Sequence, residues 1–199
     1  NYSPASANLY LSAVRSFYRW AVAYDRIPFS PAAQVKGIKN PTGHRHKRDA
    51  LTPGEIRAVL ATCDLSTPIG IRDRAMLTLL AYCALREVEL QRANIGNLTT
   101  QGDRIVLQVH GKGRLEADEI VVVPLSQEAH LRAWLSRRLK VFPRGGSDPL
   151  FVSLSRRNAG SRLSTRSIRG IVKKRFAAAG VVGIRKTTHS LRHTARKSG

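Results

Sequence analysis

The sequence predicts a mainly α-helical protein with one small antiparallel β-sheet, an α+β fold. Apolar residues recur at spacings of three and four along most of the 199-residue chain, which is the period of helices that bury one face. A region near residues 105–124 instead carries two β-rich runs around a glycine-containing turn, which is typical of a hairpin. Hydrophobic residues make up 42% of the chain, so a sizeable core can form.

Two helix-start signals lie in the N-terminal third of the chain. Ser3 and Pro4 predict an N-cap and a first helical residue, and the helix runs to about Tyr24. The segment Thr52–Glu55 has the pattern of a capping box and opens a helix that ends near Thr62. The predicted buried face of the first helix consists of residues at helical spacing: Tyr10, Val14, Phe17, Tyr18, Ala21 and Val22.

Beyond residue 62 the same arguments predict four more helices and several strands. Gly180 is expected to cap one of these helices at its C-terminus. The predicted helices are Ile71 to Leu85, one opening at Glu87, Ser126 to Leu139, and Thr165 to Ala179. In the third of these helices Ser126 is the expected cap, and the residues expected to face inward are Leu131, Trp134, Leu135 and Leu139. The predicted strands are Ile105 to Val109, Glu119 to Pro124 and a short third strand, Leu150 to Val152.

Residues 39–50 differ in composition from the helical stretches on either side. They combine glycine and proline with several basic residues, which is typical of an interdomain linker. A linker of this charge can follow a DNA backbone, although a solvated loop explains it equally well. A short helix over residues 31–35 is expected just before it. We therefore expect a helical unit at residues 1–38, a linker at 39–50 and a larger domain at 51–199.

The chain is strongly basic. It contains 34 Lys and Arg residues against 13 Asp and Glu residues, a net charge of +21 spread over its whole length. A folded surface of this kind predicts a polyanionic partner, most simply double-stranded DNA. For Arg166, Arg169, Lys173 and Lys174 the alternative is a solvated helix face. The candidate DNA-binding residues are Arg15, Arg19, Lys39, Arg45, Lys47, Arg48, Arg114, Arg166, Arg169, Lys173 and Lys174.

Cysteine content and hydropathy indicate the compartment. Cys63 and Cys83 lack metal-ligand spacing and cannot build a disulfide framework, which favours a reduced, cytoplasmic and nucleoid-associated setting. No run of about 18 apolar residues is present, so no membrane span is expected. The chain begins without Met inside a helix lead-in and lacks a signal-peptide pattern, so we expect a fragment at this end.

Three short segments carry groups suited to phosphate chemistry. His189, Arg192 and His193 share one helical face, with Thr188 as the expected N-cap, so the first turn favours an anion. Arg86 ends an apolar helix and lies three residues before Glu89, which can hold its guanidinium as a rigid fork. Standing alone, the first set can be a solvated helix face and the second a structural ion pair.

The third segment is a Gly-Lys-Gly turn at the predicted hairpin tip. Glycine on both sides of Lys112 lets the backbone approach a ligand closely, and the lysine can then donate a proton to a leaving oxygen. An ordinary basic hairpin turn is the alternative.

Together these segments resemble the tyrosine recombinases, also called the phage integrase family. The family pattern is A-x-T-G-L-R-x-x-E-L, then a G-K-G hairpin, then H-x-L-R-H. This chain has matching segments at Ala81–Leu90, Gly111–Gly113 and His189–His193, in the same order and spacing. Upstream, Leu11–Ala21 looks like the last long helix of the family's core-binding domain, and Leu51–Glu55 looks like the opening of its catalytic domain.

The resemblance implies a catalytic fold preceded by part of a helical, SAM-like core-binding domain, and it implies DNA integration or recombination through a 3′-phosphotyrosyl intermediate. Arg86 and Arg192 would clamp the scissile phosphate, Lys112 would act as general acid and His189 as base or proton relay, with Glu89 and His193 in support. It also implies double-stranded DNA as partner, a homo-multimer on DNA, no metal, no cofactor, and an origin in a phage or mobile element.

This chain departs from the family pattern in two places. Cys83-Ala84 replaces Thr-Gly before the first arginine, which we expect to be a mild change at a packing site. No tyrosine follows Arg192, since all five tyrosines precede Lys112, so we expect a chain truncated at both ends that is inactive by the family route. The alternatives are a DNA-binding decoy at recombination sites, a type IB topoisomerase-like enzyme, and an RNA-binding protein with a chance match.

Overall fold

The computed structural model describes residues 2–39, 50–111, 116–142, 148–183 and 186–195, except for the side chains of residues 193 and 195. Contacts divide the chain into two units, Asn1–Lys47 and Arg48–Gly199. The described residues are mainly helical with one three-stranded antiparallel sheet, so the predicted fold class is confirmed. Among the described helices, none combines the length and apolar character needed to cross a bilayer.

Helix α1 (Pro4–Ala23) begins at the predicted cap, because the Ser3 hydroxyl accepts the Ser6 backbone N–H. Its predicted buried face is wrong. In the described part of this unit no second helix covers that face, and only Ala21 of α1 is buried. The exposed fractions are 55% for Tyr10, 44% for Val14 and 58% for Phe17.

The segment that follows α1 lies back along it. The Asn8 side chain forms two hydrogen bonds with the Ile38 backbone, each 2.9 Å long. The Arg15 guanidinium donates to the carbonyl oxygens of Ala32, at 3.4 Å, and of Val35. Residues 31–35 therefore form turns that the Arg15 side chain holds, and the prediction of a helix there is wrong.

The second unit is built around one central helix. Helix α3 is buried along most of its length and contacts α2, α4, α5 and α7, because apolar residues occupy nearly every face of it. Trp134 of α5 is fully buried and donates to the Leu150 carbonyl at 2.9 Å. The elements are α2 (Pro53–Ala61), α3 (Pro68–Tyr82), α4 (Glu87–Arg92), β1 (Leu98–Gln101), β2 (Arg104–Val109), β3 (Glu119–Val122), α5 (Leu125–Val141), α6 (Thr165–Ala178) and α7 (Thr188–Ala195), with sheet order β1-β2-β3.

Several predicted boundaries need correction. The third strand is β1, which pairs with β2 through a turn at Gly102, whereas residues 150–152 form only an isolated bridge. Helix α5 begins at Leu125, so Ser126 is not its cap. Leu139 is 41% exposed rather than inward-facing, because no described element covers the last turn of α5 on that side. The capping box of α2 and the hairpin strands β2 and β3 are confirmed.

A buried carboxylate ties helix α6 to helix α3. One Asp73 carboxylate oxygen accepts two hydrogen bonds from Arg175 of α6, at 2.6 and 3.1 Å, and the other accepts two from the neighbouring Arg72, at 2.6 and 3.0 Å. Arg175 also donates to the Thr62 carbonyl at 2.7 Å. Because a buried charge needs partners, this cluster fixes where α6 lies relative to α2 and α3.

Ala84 sets the direction in which the chain leaves α3. The helix ends at Tyr82 with Cys83 as cap, and Ala84 then adopts φ +51°, in the left-handed region. That turn starts α4 three residues later, which places Arg86 directly before it. Ala84 stands where the family pattern has glycine, and a Cβ is disfavoured at this φ. The difference therefore affects the backbone conformation and is not the packing change expected from the sequence.

Replacing Ala84 with glycine is expected to raise the free energy of unfolding by about 0.5 to 1 kcal/mol, because relief of the left-handed strain exceeds the added chain entropy. The measurement is urea denaturation. The reciprocal control is Gly180→Ala, at φ +67° with open space around the missing Cβ, which is expected to cost about 1 kcal/mol. An unchanged or lowered stability of Ala84→Gly would show that the turn carries no strain.

Candidate active site

Glu89 brings the two candidate clamp arginines together. Its side chain is 4% exposed and lies between Arg86, which is 32% exposed, and Arg192, which is 16% exposed. One carboxylate oxygen accepts from the Arg86 guanidinium. The other accepts the Arg86 backbone N–H at 2.6 Å and the Arg192 guanidinium at 3.4 Å. The sequence indicated the pair with Arg86, and the structure adds the contact with Arg192.

Helix α7 carries the candidate histidine in its first turn. The predicted cap is wrong, since Thr188 is the first helical residue and the Thr187 backbone N–H donates to the Ser190 hydroxyl at 3.0 Å. Leu191 is buried in the core. The Thr194 hydroxyl accepts the Leu51 backbone N–H at 2.9 Å, which fixes the far end of α7.

Glu87, the first residue of α4, makes a second connection to α7. Its carboxylate accepts a hydrogen bond from the Thr188 hydroxyl and a charge-assisted one from Arg169 of α6. The Glu87 side chain is 14% exposed and that of Arg169 is 66% exposed. Three helices therefore meet at this carboxylate.

Glu87, Arg169 and Thr188 line an open cleft of about 880 Å³. Arg86 and His189 both line it, and His189 is exposed. The remaining lining is partly cationic and partly apolar, so the cleft offers a charged rim over a hydrophobic floor. The other lining residues are Glu87, Val88, Thr165, Arg169, Val172, Lys173, Phe176, Ala177, Val181, Val182, Gly183, Lys186, Thr187 and Thr188.

Lys186 attaches one wall of the cleft to helix α2. Its ammonium group donates to the Glu55 carboxylate, the same carboxylate that closes the capping box of α2. The hydrogen bond from Lys186 and the one from the Thr52 backbone lower the pKa of Glu55 below its ordinary value of 4.5. Sequence patterns did not indicate Lys186, because its partner lies 131 positions away.

The structure brings together only some of the predicted site residues. Arg86, Glu89 and Arg192 meet as described above, and His189 lines the same cleft as Arg86. Arg15 donates to the Ala32 and Val35 carbonyls, and its assignment as a DNA contact stays a prediction. The exposed candidate DNA contacts are Arg19, Lys39, Arg166, Arg169, Lys173 and Lys174, while Lys112, Arg114, Arg45, Lys47, Arg48 and the His193 side chain lie outside the described residues.

The arrangement is suited to binding an anion. Two guanidinium groups and one carboxylate have a net positive charge, and their mutual hydrogen bonds fix the directions of the donors. Because the protein supplies this charge in place before a ligand arrives, little reorganisation is needed when the anion binds. Within the described residues, no group of three or more His, Cys, Asp or Glu side chains is placed to hold a metal ion.

A family model and several known proteins match this chain. A model of the phage integrase family matches residues 49–197. Tyrosine recombinase XerD of Xanthomonas axonopodis pv. citri (strain 306) is 35% identical over 206 residues, covering 98% of this chain and 62% of that protein. Tyrosine recombinase XerC of Proteus mirabilis is 34% identical, covering 96% of this chain and 58% of that protein. The chain thus spans about three fifths of the length of these relatives.

Solved structures agree on the fold. The crystal structure of XerA recombinase superposes with a TM-score of 0.61 at 26% identity, covering 99% of this chain and 62% of its own. A λ integrase dimer bound to a COC′ core site superposes with a TM-score of 0.65, covering 98% of this chain and 66% of its own; its 17% identity is evidence for the fold alone.

The Lys186–Glu55 pair predicts a pH dependence of stability. Since the folded-state pKa of Glu55 is lowered, its contribution is present above the ordinary value of 4.5 and is lost as the pH falls through the lowered pKa. When the pH is lowered from about 5 to 3, the free energy of unfolding of Lys186→Met is therefore expected to decrease by less than that of the wild type. Urea midpoints across this range are the measurement. Lys174→Met removes the same charge from an exposed position and should follow the wild type.

Proposed function

Because the chain belongs to the phage integrase family of tyrosine recombinases, we propose that it binds duplex DNA and carries the phosphate-binding part of a recombinase active site. The observation that carries the proposal is the shared Glu89 carboxylate, which holds Arg86 and Arg192 together beside the cleft that His189 lines. The basic rim of this cleft fits a polyanionic strand.

In the proposed reaction the two arginines bind the non-bridging oxygens of the scissile phosphate. Their charge stabilises the additional negative charge that develops as a tyrosine oxygen attacks phosphorus and the 5′ oxygen leaves. Lys112 protonates the leaving oxygen, and His189 assists transfer of the tyrosine proton. None of the five tyrosines of this sequence, all of which precede Lys112, is assigned as the nucleophile. Glu89 orients the clamp without contacting the DNA.

We further propose that this reaction takes place on cytoplasmic DNA and in a multimer. XerH bound to its difH substrate and a λ integrase tetramer bound to a Holliday junction are structural neighbours with the same fold. Assembly of several protomers on two DNA sites would allow the DNA strand cleaved by one protomer to be joined to the DNA strand cleaved by another. The net charge of +21 supports a nucleic acid as the partner, and the family relationship supports the choice of DNA over RNA.

Arg86→Ala and Arg192→Ala are each expected to weaken duplex binding and to reduce the slope of log K against log salt by about 0.9, because each removes one phosphate contact. Fluorescence anisotropy with a labelled duplex over a salt series is the measurement. Arg132→Ala removes an exposed arginine that does not line the cleft and should keep the wild-type slope. Unchanged slopes in both clamp variants would contradict phosphate binding by these residues.

In a recombinase that combines this catalytic domain with a nucleophilic tyrosine, Arg86→Ala or Arg192→Ala is expected to reduce covalent strand cleavage by at least about a hundredfold, while DNA binding is only weakened. A nicked suicide substrate, which traps the phosphotyrosyl product, gives the measurement, with Arg132→Ala as the active control. Cleavage at the control rate in either clamp variant would refute the clamp assignment.

A further inference from the structure

Helix α4 contacts α7 at two points that are one helical turn apart. Glu89 contacts Arg192, and Glu87 accepts the Thr188 hydroxyl hydrogen bond. Positions 188 and 192 lie on the same stripe of a helix, so the two contacts fix both the distance of α7 from α4 and its rotation about its own axis. His189 follows Thr188 directly, and its place in the cleft depends on that rotation.

The role of Glu87 does not follow from the family pattern, where the position after the first arginine is unspecified. A carboxylate in this cleft opposes the binding of an anion, so its presence needs a physical reason. Arg169 offsets its charge through an ion pair, which leaves the positive charge of the Arg86 and Arg192 pair in place. The Thr188 hydrogen bond is then the contribution that Glu87 makes to the geometry of the site.

We propose that Glu87 is a positioning residue that sets His189 against the phosphate held by Arg86 and Arg192, acting through the Thr188 hydroxyl. Thr188 is 7% exposed, so its hydroxyl is shielded from solvent and depends on this partner. Loss of the bond removes the contact between α4 and the first residue of α7 and leaves its rotation less constrained, whereas Leu191 and Thr194 still hold the rest of the helix. The inference rests on the proposed function, because it needs DNA in the cleft.

The test is carbethoxylation of His189 by diethyl pyrocarbonate in the intact chain, read by peptide mass spectrometry with and without saturating duplex DNA. In the wild type, duplex DNA is expected to protect His189. Thr188→Val keeps the shape of the side chain but removes the hydroxyl. In this variant and in Glu87→Ala, the ratio of the His189 modification rates without and with duplex DNA should be about tenfold lower than in the wild type. Thr188→Ser keeps the hydroxyl and should restore wild-type protection.

Three controls separate positioning from other effects. Thr52→Ala removes the cap of α2 and lowers stability without removing a contact of α7, so it should keep full protection. Arg132→Ala removes an exposed arginine that does not line the cleft, and it too should keep full protection. The double variant Glu87→Ala, Thr188→Val should lose no more than either single variant, because both remove one bond.

Each outcome has a separate meaning. Equal protection of His189 in the wild type, Thr188→Val and Glu87→Ala, with duplex bound in all three, overturns this inference and leaves the proposed function standing. Failure of the wild type to bind duplex, or binding without any protection of His189, overturns the proposed function as well.

Discussion

The buried carboxylate of Glu89 holds two guanidinium groups from helices that are far apart in the sequence. A buried charge without partners is strongly unfavourable, so Arg86 and Arg192 must converge on it when the domain folds. The position of α4 and the docking of α7 both follow from this requirement. The same bonds that satisfy Glu89 also aim the donors of both arginines, so folding and assembly of the anion site are one process.

Much of the basic character of this protein is used inside its own fold. Arg138 is 1% exposed and donates to the Pro149 and Phe142 carbonyls. Arg162 binds the Gln91 and Ala93 carbonyls at the end of α4, and Arg175 binds Asp73. The net charge of +21 therefore overstates the number of cations that can face a nucleic acid. Guanidinium groups suit this use because their several donors satisfy clustered carbonyl oxygens.

Local signals in the sequence were reliable where the physics is local. The caps at Ser3 and Thr52, the hairpin of β2 and β3, and the left-handed turn at Gly180 are confirmed because each depends on residues within a few positions. The exposed face of α1 was misjudged for the opposite reason. Helical periodicity shows that a face is apolar, but burial depends on which element covers it.

The sequence by itself determined the fold class, most helix starts, and the order and spacing of the motifs that contain Arg86, Glu89, His189 and Arg192. Only the tertiary structure decided that one carboxylate serves both arginines, that Glu87 reaches Thr188, and that Arg15 donates to backbone carbonyls. The physical reason is range. Caps and periodicity act over a few residues, whereas a buried charge is satisfied by whichever partner the folded chain brings to it, here from about 100 positions away.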